Sequence, residues 1–562
     1  MHAIDTADPA REAPARTSIS VWEPFLPAPS SSIARAARAF GDNYTQLRDD
    51  LRVRSISLVL IASSSLYLYW MFHHINHTAP WIAWPFIAAN LLSMTSLLVS
   101  AFCTWSRAVP APRPLPYGNE PLIAVIIPTC GESVAMVLRT VRSVIEQDWP
   151  HDRLVIVVSD DGHDRDLEIA LSPLKVIYHS PPDRYAPGRD GAAKSGNLNS
   201  ALGWIDDWYP SIRFIETRDA DDEVGSRQFL RHVVGQLEAD DRLAYVQTIK
   251  EAQVSAGDPF NNRESMFYRN LMMSKYAANA VFPCGSGLVW RREALRSIGN
   301  FPTWNLVEDL QSGMEALKLG WQSMYLPIVG AIGQHAPEDV PNVYKQRGTW
   351  ALDTVRLMVW RTKRGLDIRQ RMHFWMMLLF YLTSFATLTY IVSVITALLG
   401  ASPVTDNSWR AIAFIGPFAI ANEAFVLMAN HPYFDRRQRQ RRRYRAAWNV
   451  RVMWTGMAPV YAKATILALW GGPNRKPVYK VTRKTHDLRW HWRETIPHIT
   501  LFGAGVAALL YSLLSGNIGN PGQAIVTIYF GCQYFALLGS FIMRGRHGLN
   551  APKTHTIERR RR

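Results

Sequence analysis

Six stretches almost free of charge, residues 55–72, 81–105, 374–399, 411–428, 499–514 and 524–543, constrain this 562-residue chain more than any other feature. Each is close to the length an α-helix needs to cross the hydrocarbon core of a bilayer. They imply an integral membrane protein with about six transmembrane helices. The fifth is the shortest and needs Ile496 and Pro497 to reach full length. Orientation follows from the flanks, because short cytoplasmic segments collect Lys and Arg. Residues 73–80 and 515–523 carry neither, and 400–410 has only Arg410. By contrast, 431–495 holds sixteen Lys or Arg against three acids, and 544–562 holds seven against one. Both termini and the long segment between the second and third stretches are therefore expected in the cytoplasm. The net charge of +16 is concentrated next to the membrane, where it meets lipid headgroups. No nucleic-acid partner is expected. The four cysteines, Cys103, Cys130, Cys284 and Cys532, show no metal-binding spacing, and no disulfide is expected.

Residues 1–30, rich in Ala, Pro and Ser, are expected to be disordered. Residues 31–54, with Arg35, Arg38, Arg48, Arg52 and Arg54, are expected to form a helix on the cytoplasmic surface. Past residue 117 the pattern becomes one of alternating strands and helices. Strands are expected at 122–128, 154–159 and 213–216, and a helix at 134–147 with Val137, Val141 and Val144 on one side. Such alternation argues for a parallel α/β sheet, whose ligands lie beyond the carboxyl ends of its strands. Thr129, Glu132, Asp160, Asp161, Asp219 and Asp221 all fall at such ends. Asp219 and Asp221 form a donor set that a hard divalent ion shares with nucleotide phosphates. Taken alone, Asp-x-Asp is equally at home in a solvated turn. Glu308 and Asp309 open a helical pattern, where acids suit the N-terminus. Gln346 and Trp350, four apart, share a helix face.

In order along the chain stand PTCGE at 128–132, DDG at 160–162, KSGNLN at 194–199, DAD at 219–221, FPCGSG at 282–287, VED at 307–309, QRGTW at 346–350 and YKVTRK at 479–484. This set resembles the processive family 2 glycosyltransferases, in particular the bacterial cellulose synthase catalytic subunit and its relatives that make cellulose, curdlan or mixed-linkage β-glucan. The resemblance implies a cytoplasmic GT-A-type α/β domain at 117–343, inserted into a polytopic α-helical membrane domain of the bacterial inner membrane. Around it the resemblance implies a transmembrane hairpin at 55–105, interfacial helices with QRGTW at 344–373 and transmembrane helices at 374–430 and 496–543. A basic segment at 431–495 would carry an interfacial helix and a gating loop, and a basic tail would follow at 544–562. The implied activity is inverting transfer of glucose from UDP-glucose, with Mg²⁺ or Mn²⁺, onto a growing glucan. UDP is released and the glucan leaves through a transmembrane channel bordered by lipid, with room for periplasmic or membrane accessory subunits. The alternatives are a synthase of an N-acetylglucosamine-containing polymer of the chitin, hyaluronan or poly-GlcNAc type, and a non-catalytic polysaccharide-export channel. No PilZ-like c-di-GMP module is expected after the last apolar stretch.

Carried over residue by residue, the resemblance makes Asp309 the general base, with the adjacent carboxylate of Glu308 raising its pKa by like-charge repulsion. Asp219 and Asp221 become metal ligands, and Thr129, Glu132, Asp160, Asp161, Lys194 and Asp219 contacts of UDP. Gln346, Trp350, Cys284 and Gly285 face the acceptor, the indole of Trp350 stacking on the terminal sugar. Trp350 read by itself is equally an interfacial anchor. Tyr479, Val481, Thr482 and Lys484 form the gating loop. Two positions depart from the pattern. Val307 replaces Thr, and Thr349 stands where QxxRW has the Arg that faces the diphosphate, so Arg347 or Lys484 is expected to supply that charge. Residues 446–470 are apolar but carry Arg451, Pro459 and Lys463. A charge at mid-bilayer costs about 2.5–3.5 kcal/mol, so this segment is expected on the cytoplasmic surface.

Overall fold

The computed structural model describes residues 32–111, 113–191, 194–255, 257–406, 408–429, 440–474, 490–516 and 521–546. The stretch expected to be disordered, 1–30, and the gating-loop residues Tyr479, Val481, Thr482 and Lys484 lie outside the described residues.

Apolar runs bounded by polar turns build an eight-stranded sheet: β1 (Ile123–Thr129), β2 (Leu154–Asp160), β3 (Ile177–His179), β4 (Phe214–Thr217), β5 (Asp222–Val224), β6 (Leu243–Ala252), β7 (Leu288–Arg291) and β8 (Gln322–Gly333). The order across the sheet is β3-β2-β1-β4-β7-β6-β8-β5. All seven residues of β1 are buried, as a central strand covered on both faces requires. On one face the helix Val134–Ile145 packs Val137, Val141 and Val144 against Val125, Ile127, Ile156 and Val158. On the other, the helix Lys194–Trp208 packs Leu198, Ala201, Leu202 and Ile205 against Ala124, Ile126 and Ile215. Strands β1 to β4 run parallel, but the sheet as a whole is mixed, contrary to expectation. Strand β7 is antiparallel to β4 and β6, and β5 is antiparallel to β8. Only residues 218–221 join β4 to β5, too few for a parallel crossover, so the chain turns back. From β1 the chain winds outward through β2 and β3 on one side, then crosses back to place β4 on the other side of β1. A crevice at such a switch point is where open α/β sheets bind ligands.

The apolar stretches form long helices flanking this domain. Among the described residues six helices are long and apolar enough to cross a membrane: Leu51–His73, Pro80–Cys103, Ile368–Leu398, Trp409–Met428, Arg445–Gly471 and Ile496–Leu514. The stretch at 524–543 lies within a further helix, Pro521–Arg544. One expectation changes here. The surface helix at 31–54 and the first span are one continuous helix, Ser32–His73, because no proline interrupts it. Residues 446–470 lie within the helix Gln440–Gly471, packed against Val340–Trp360 and Ile368–Leu398, and Arg451 on it pairs with Glu423. At the end remote from the sheet two loops are joined: Asn76 N–H donates to Pro403 O (3.1 Å) and Thr405 N–H to His74 O (2.8 Å).

Candidate active site

Beyond β4 the run Arg218-Asp219-Ala220-Asp221 is held by its first residue. The guanidinium of Arg218 is fully buried, 2.5 Å from Glu216 Oε1 and donating to Gly330 O at 3.0 Å. Burial pushes the Glu216 carboxyl up, and Arg218 only partly offsets it. This buried pair spends Arg218 on the fold and fixes the loop that presents Asp219. The Asp219 N–H donates to Ser286 Oγ (3.2 Å). Its carboxylate accepts from two ammoniums, Lys194 at Oδ1 and Lys250 at Oδ2 (2.6 Å). Lys250 Nζ also lies 2.8 Å from Asp222 Oδ2. Burial opposes ionisation of Asp219, but Lys194 and Lys250 outweigh it and hold the carboxyl well below the usual range.

Lys194, the first residue of its helix, reaches Gly285 O (3.3 Å) and stands 3.9 Å from Glu308 Oε1. Gly285 has a φ of +79°, and a Cβ there would lie 3.2 Å from Lys194 Nζ and 3.3 Å from Asp309 Oδ2. Glycine thus lets the backbone turn and pass between these charges. The Cys284 N–H donates to Gln247 Oε1 (2.7 Å), and burial drives its thiol far above the ordinary value, which leaves no thiolate nucleophile. Glu308 and Asp309 open the helix Glu308–Lys318. Burial raises the Asp309 carboxyl, against the pull of Lys194. The adjacent carboxylate was expected to be the cause; the rise comes from desolvation, and the carboxylate that adds to it is Asp219. Burial likewise moves Glu308 up to about 7, Lys194 lowering it and Asp309 adding to the rise.

A cavity of about 1100 Å³ connects these groups. Lys194, Asp219, Lys250, Gly285, Glu308, Asp309, Gln346 and Trp350 line one end. It continues between the long helices past Ser93 and Tyr390 to Trp70 and Asp406. Trp350 keeps 38% of its surface exposed, so its ring is available to a ligand.

The other expected site residues stand apart. Thr129, Glu132, Asp160 and Asp161 lie at the ends of β1 and β2, outside the wall of this cavity. Thr129 Oγ1 donates to Glu132 Oε2 (2.9 Å). Asp160 accepts from the Gly162 and Asp164 amides (both 2.7 Å) and from Tyr178 Oη (3.0 Å). Asp161 accepts a two-pronged contact from Arg189 (2.7 and 2.9 Å), with Arg184 at 3.5 Å. Asp221 is buried, and its carbonyl accepts from the Gln334 N–H (2.8 Å). Arg347 lines the cavity, but its guanidinium is engaged by Phe260 O (2.8 Å) and Asn261 O (3.2 Å). Sequence reasoning missed Arg218, Gln247, Lys250 and Ser286. For Lys250 the available signal was a cation late in a strand that opens on the apolar run Leu243-Ala244-Tyr245-Val246.

Mg²⁺ usually takes one or two protein carboxylates and completes its shell with water and substrate phosphates. Among the described residues no group of three or more His, Cys, Asp or Glu side chains could hold an ion unaided; Asp219 faces the cavity, as a carboxylate sharing an ion with substrate must, while Asp221 lies outside the cavity wall. An ion on Asp219 has to compete with the two ammoniums already there.

Residues 124–299 match the family described as glycosyl transferase family 2, and 215–428 match glycosyl transferase family group 2. The chain is 30% identical over 302 residues to the UDP-forming cellulose synthase catalytic subunit of Komagataeibacter sucrofermentans, covering 51% of this chain and 38% of that one. It is 26% identical over 392 residues to the Pseudomonas fluorescens subunit of the same description, covering 66% and 51%. Against cellulose synthase 1 of Komagataeibacter xylinus it is 26% identical over 464 residues, 78% of this chain and 28% of that protein. The chain therefore spans about half or less of the length of these relatives. Among solved structures, a mannosyltransferase from Pyrobaculum calidifontis in complex with GDP-Man and Mn²⁺ aligns with a TM-score of 0.44 at 17% identity, over 74% of this chain and 99% of that one.

Proposed function

We propose that this chain, which carries a glycosyltransferase family 2 domain similar to that of cellulose synthases, transfers glucose from UDP-glucose, with inversion, to the end of a growing β-glucan and conducts the product across the bacterial inner membrane. The observation that carries the reading is the single cavity with Asp219, Asp309 and Trp350 at one end and long apolar helices along the rest. Inverting transfer needs a base at the acceptor hydroxyl, relief of charge on the leaving diphosphate and an acceptor held in line. Asp309, its pKa raised by burial, takes the proton as the hydroxyl oxygen bonds to the anomeric carbon and UDP departs. Asp219, with Asp221 turned towards it, would hold a Mg²⁺ or Mn²⁺, which would supply Lewis-acid stabilisation of the diphosphate. Trp350 and Gln346 orient the terminal sugar, with Cys284 and Gly285 shaping the backbone beside it. The uracil and ribose sit by Thr129, Glu132, Asp160 and Asp161, where Asp161 has to exchange its contact with Arg189 for the nucleotide. The catalytic domain and both termini face the cytoplasm, and the product linkage is β-1,4, β-1,3 or mixed.

The test is to supply purified protein in nanodiscs with UDP-glucose or UDP-N-acetylglucosamine and either metal ion, then digest the polymer with linkage-specific enzymes. A polymer formed from UDP-glucose and cleaved by a β-1,4- or β-1,3-glucanase is the expected result. A product resistant to every β-glucanase would overturn the assignment of the sugar.

A further inference from the structure

We infer that Lys250 is a substrate-binding residue, supplying from β6 positive charge to the donor diphosphate that Thr349 cannot supply, and that it competes with the divalent ion for Asp219. The inference rests on the functional reading above and adds a residue to it. Lys250 Nζ bridges Asp219 Oδ2 (2.6 Å) and Asp222 Oδ2 (2.8 Å), and its side chain keeps 27% exposure at the cavity wall it shares with Lys194. Asp219, Glu308 and Asp309 crowd this end of the cavity with carboxylates, and Asp222 sits behind Lys250. A diphosphate entering here adds negative charge and needs cations within reach. Arg347 is turned to the carbonyls of residues 260 and 261, and the guanidinium of Arg218 is sealed in the fold. Lys194 and Lys250 are the ammoniums that line this end among the described residues.

A lysine on a four-carbon stem with three rotatable donors can turn from a carboxylate to a phosphate oxygen without moving the backbone. Lys250 occupies the Oδ2 of Asp219. A divalent ion coordinating that oxygen would meet a like charge within a few ångströms, so ammonium and ion disfavour each other there. Removing Lys250 should therefore weaken binding of the diphosphate while easing binding of the ion. A purely structural lysine would not move these two affinities in opposite directions.

The experiment uses the full chain in nanodiscs, comparing wild type with Lys250→Met and Lys250→Arg. Binding of UDP and of uridine is titrated in chelator, and Mn²⁺ affinity is read by electron paramagnetic resonance without nucleotide. Loss of a charged hydrogen bond predicts UDP binding about tenfold or more weaker in Lys250→Met, with uridine binding unchanged and Mn²⁺ bound more tightly. Lys250→Arg should keep UDP affinity close to that of the wild type. Unchanged UDP binding in Lys250→Met, or equal losses for UDP and uridine, would overturn the inference. If the methionine variant does not fold, Lys250→Gln replaces it with the same expectations. A wild type that binds no UDP at any metal concentration would instead overturn the functional reading itself.

Discussion

Two pairs of acids stand at the carboxyl edge of one sheet, Asp160 with Asp161 after β2 and Asp219 with Asp221 after β4, and in sequence they look like the same device. Their surroundings differ. Asp160 is held by two backbone amides and a tyrosine hydroxyl, and Asp161 by Arg189, all within the chain segment just after β2. Asp219 is held by the ammoniums of two long side chains that face a cavity. Backbone donors cannot leave without unfolding the turn, whereas lysines can exchange partners. A carboxylate's availability is set by what holds it, and Asp160 contributes more to the fold than its motif suggests, while Asp161, held by arginine side chains, stays exchangeable.

The sharpest way to break this contrast is to remove the proposed base. Asp309→Asn should lower polymer synthesis by about a hundredfold to ten-thousandfold, while UDP binding by titration stays within a factor of two. Normal turnover by this variant would move the base elsewhere. Next comes the acid assigned mainly to the fold. Asp160→Asn should cost about 1.5–3 kcal/mol of stability, visible as a lower thermal midpoint in detergent. Retained stability with lost UDP binding would reverse the contrast. Trp350→Ala should raise the acceptor KM about threefold to tenfold, the range of an aromatic contact worth about 0.5–1.5 kcal/mol, and shorten the chains. Trp350→Phe should lie between it and the wild type.

The smallest effect is one of pH. Glu308 is displaced from an ordinary 4.5 to about 7 by burial. Its folded-state value being the higher one, its stabilising contribution is whole below about 4.5 and is lost as the pH rises through about 7. Glu308→Gln should therefore lose less stability than the wild type between about pH 5 and pH 8. Equal slopes in thermal midpoint would show that the proton is held by another group.

Much of the fold was legible in the chain. The strands β1, β2 and β4 and the helix Val134–Ile145 lie within a residue or two of their expected bounds, because each is a local pattern of apolar spacing. The antiparallel β7 was not legible, since its direction depends on strands far away in the chain. The partner of Arg451 was not legible either, since Glu423 lies on another helix.

The sequence by itself determined that apolar helices flank an α/β domain and that acids gather at its strand ends, because helix length, strand burial and turn chemistry are written in neighbouring residues. Only the tertiary structure decided which of those acids face a shared cavity and which are enclosed by their own turns. It also decided that Lys250, 31 residues beyond Asp219, closes on it. The pairing depends on the order of strands in the sheet, and strand order comes from packing the whole domain, which no local stretch encodes.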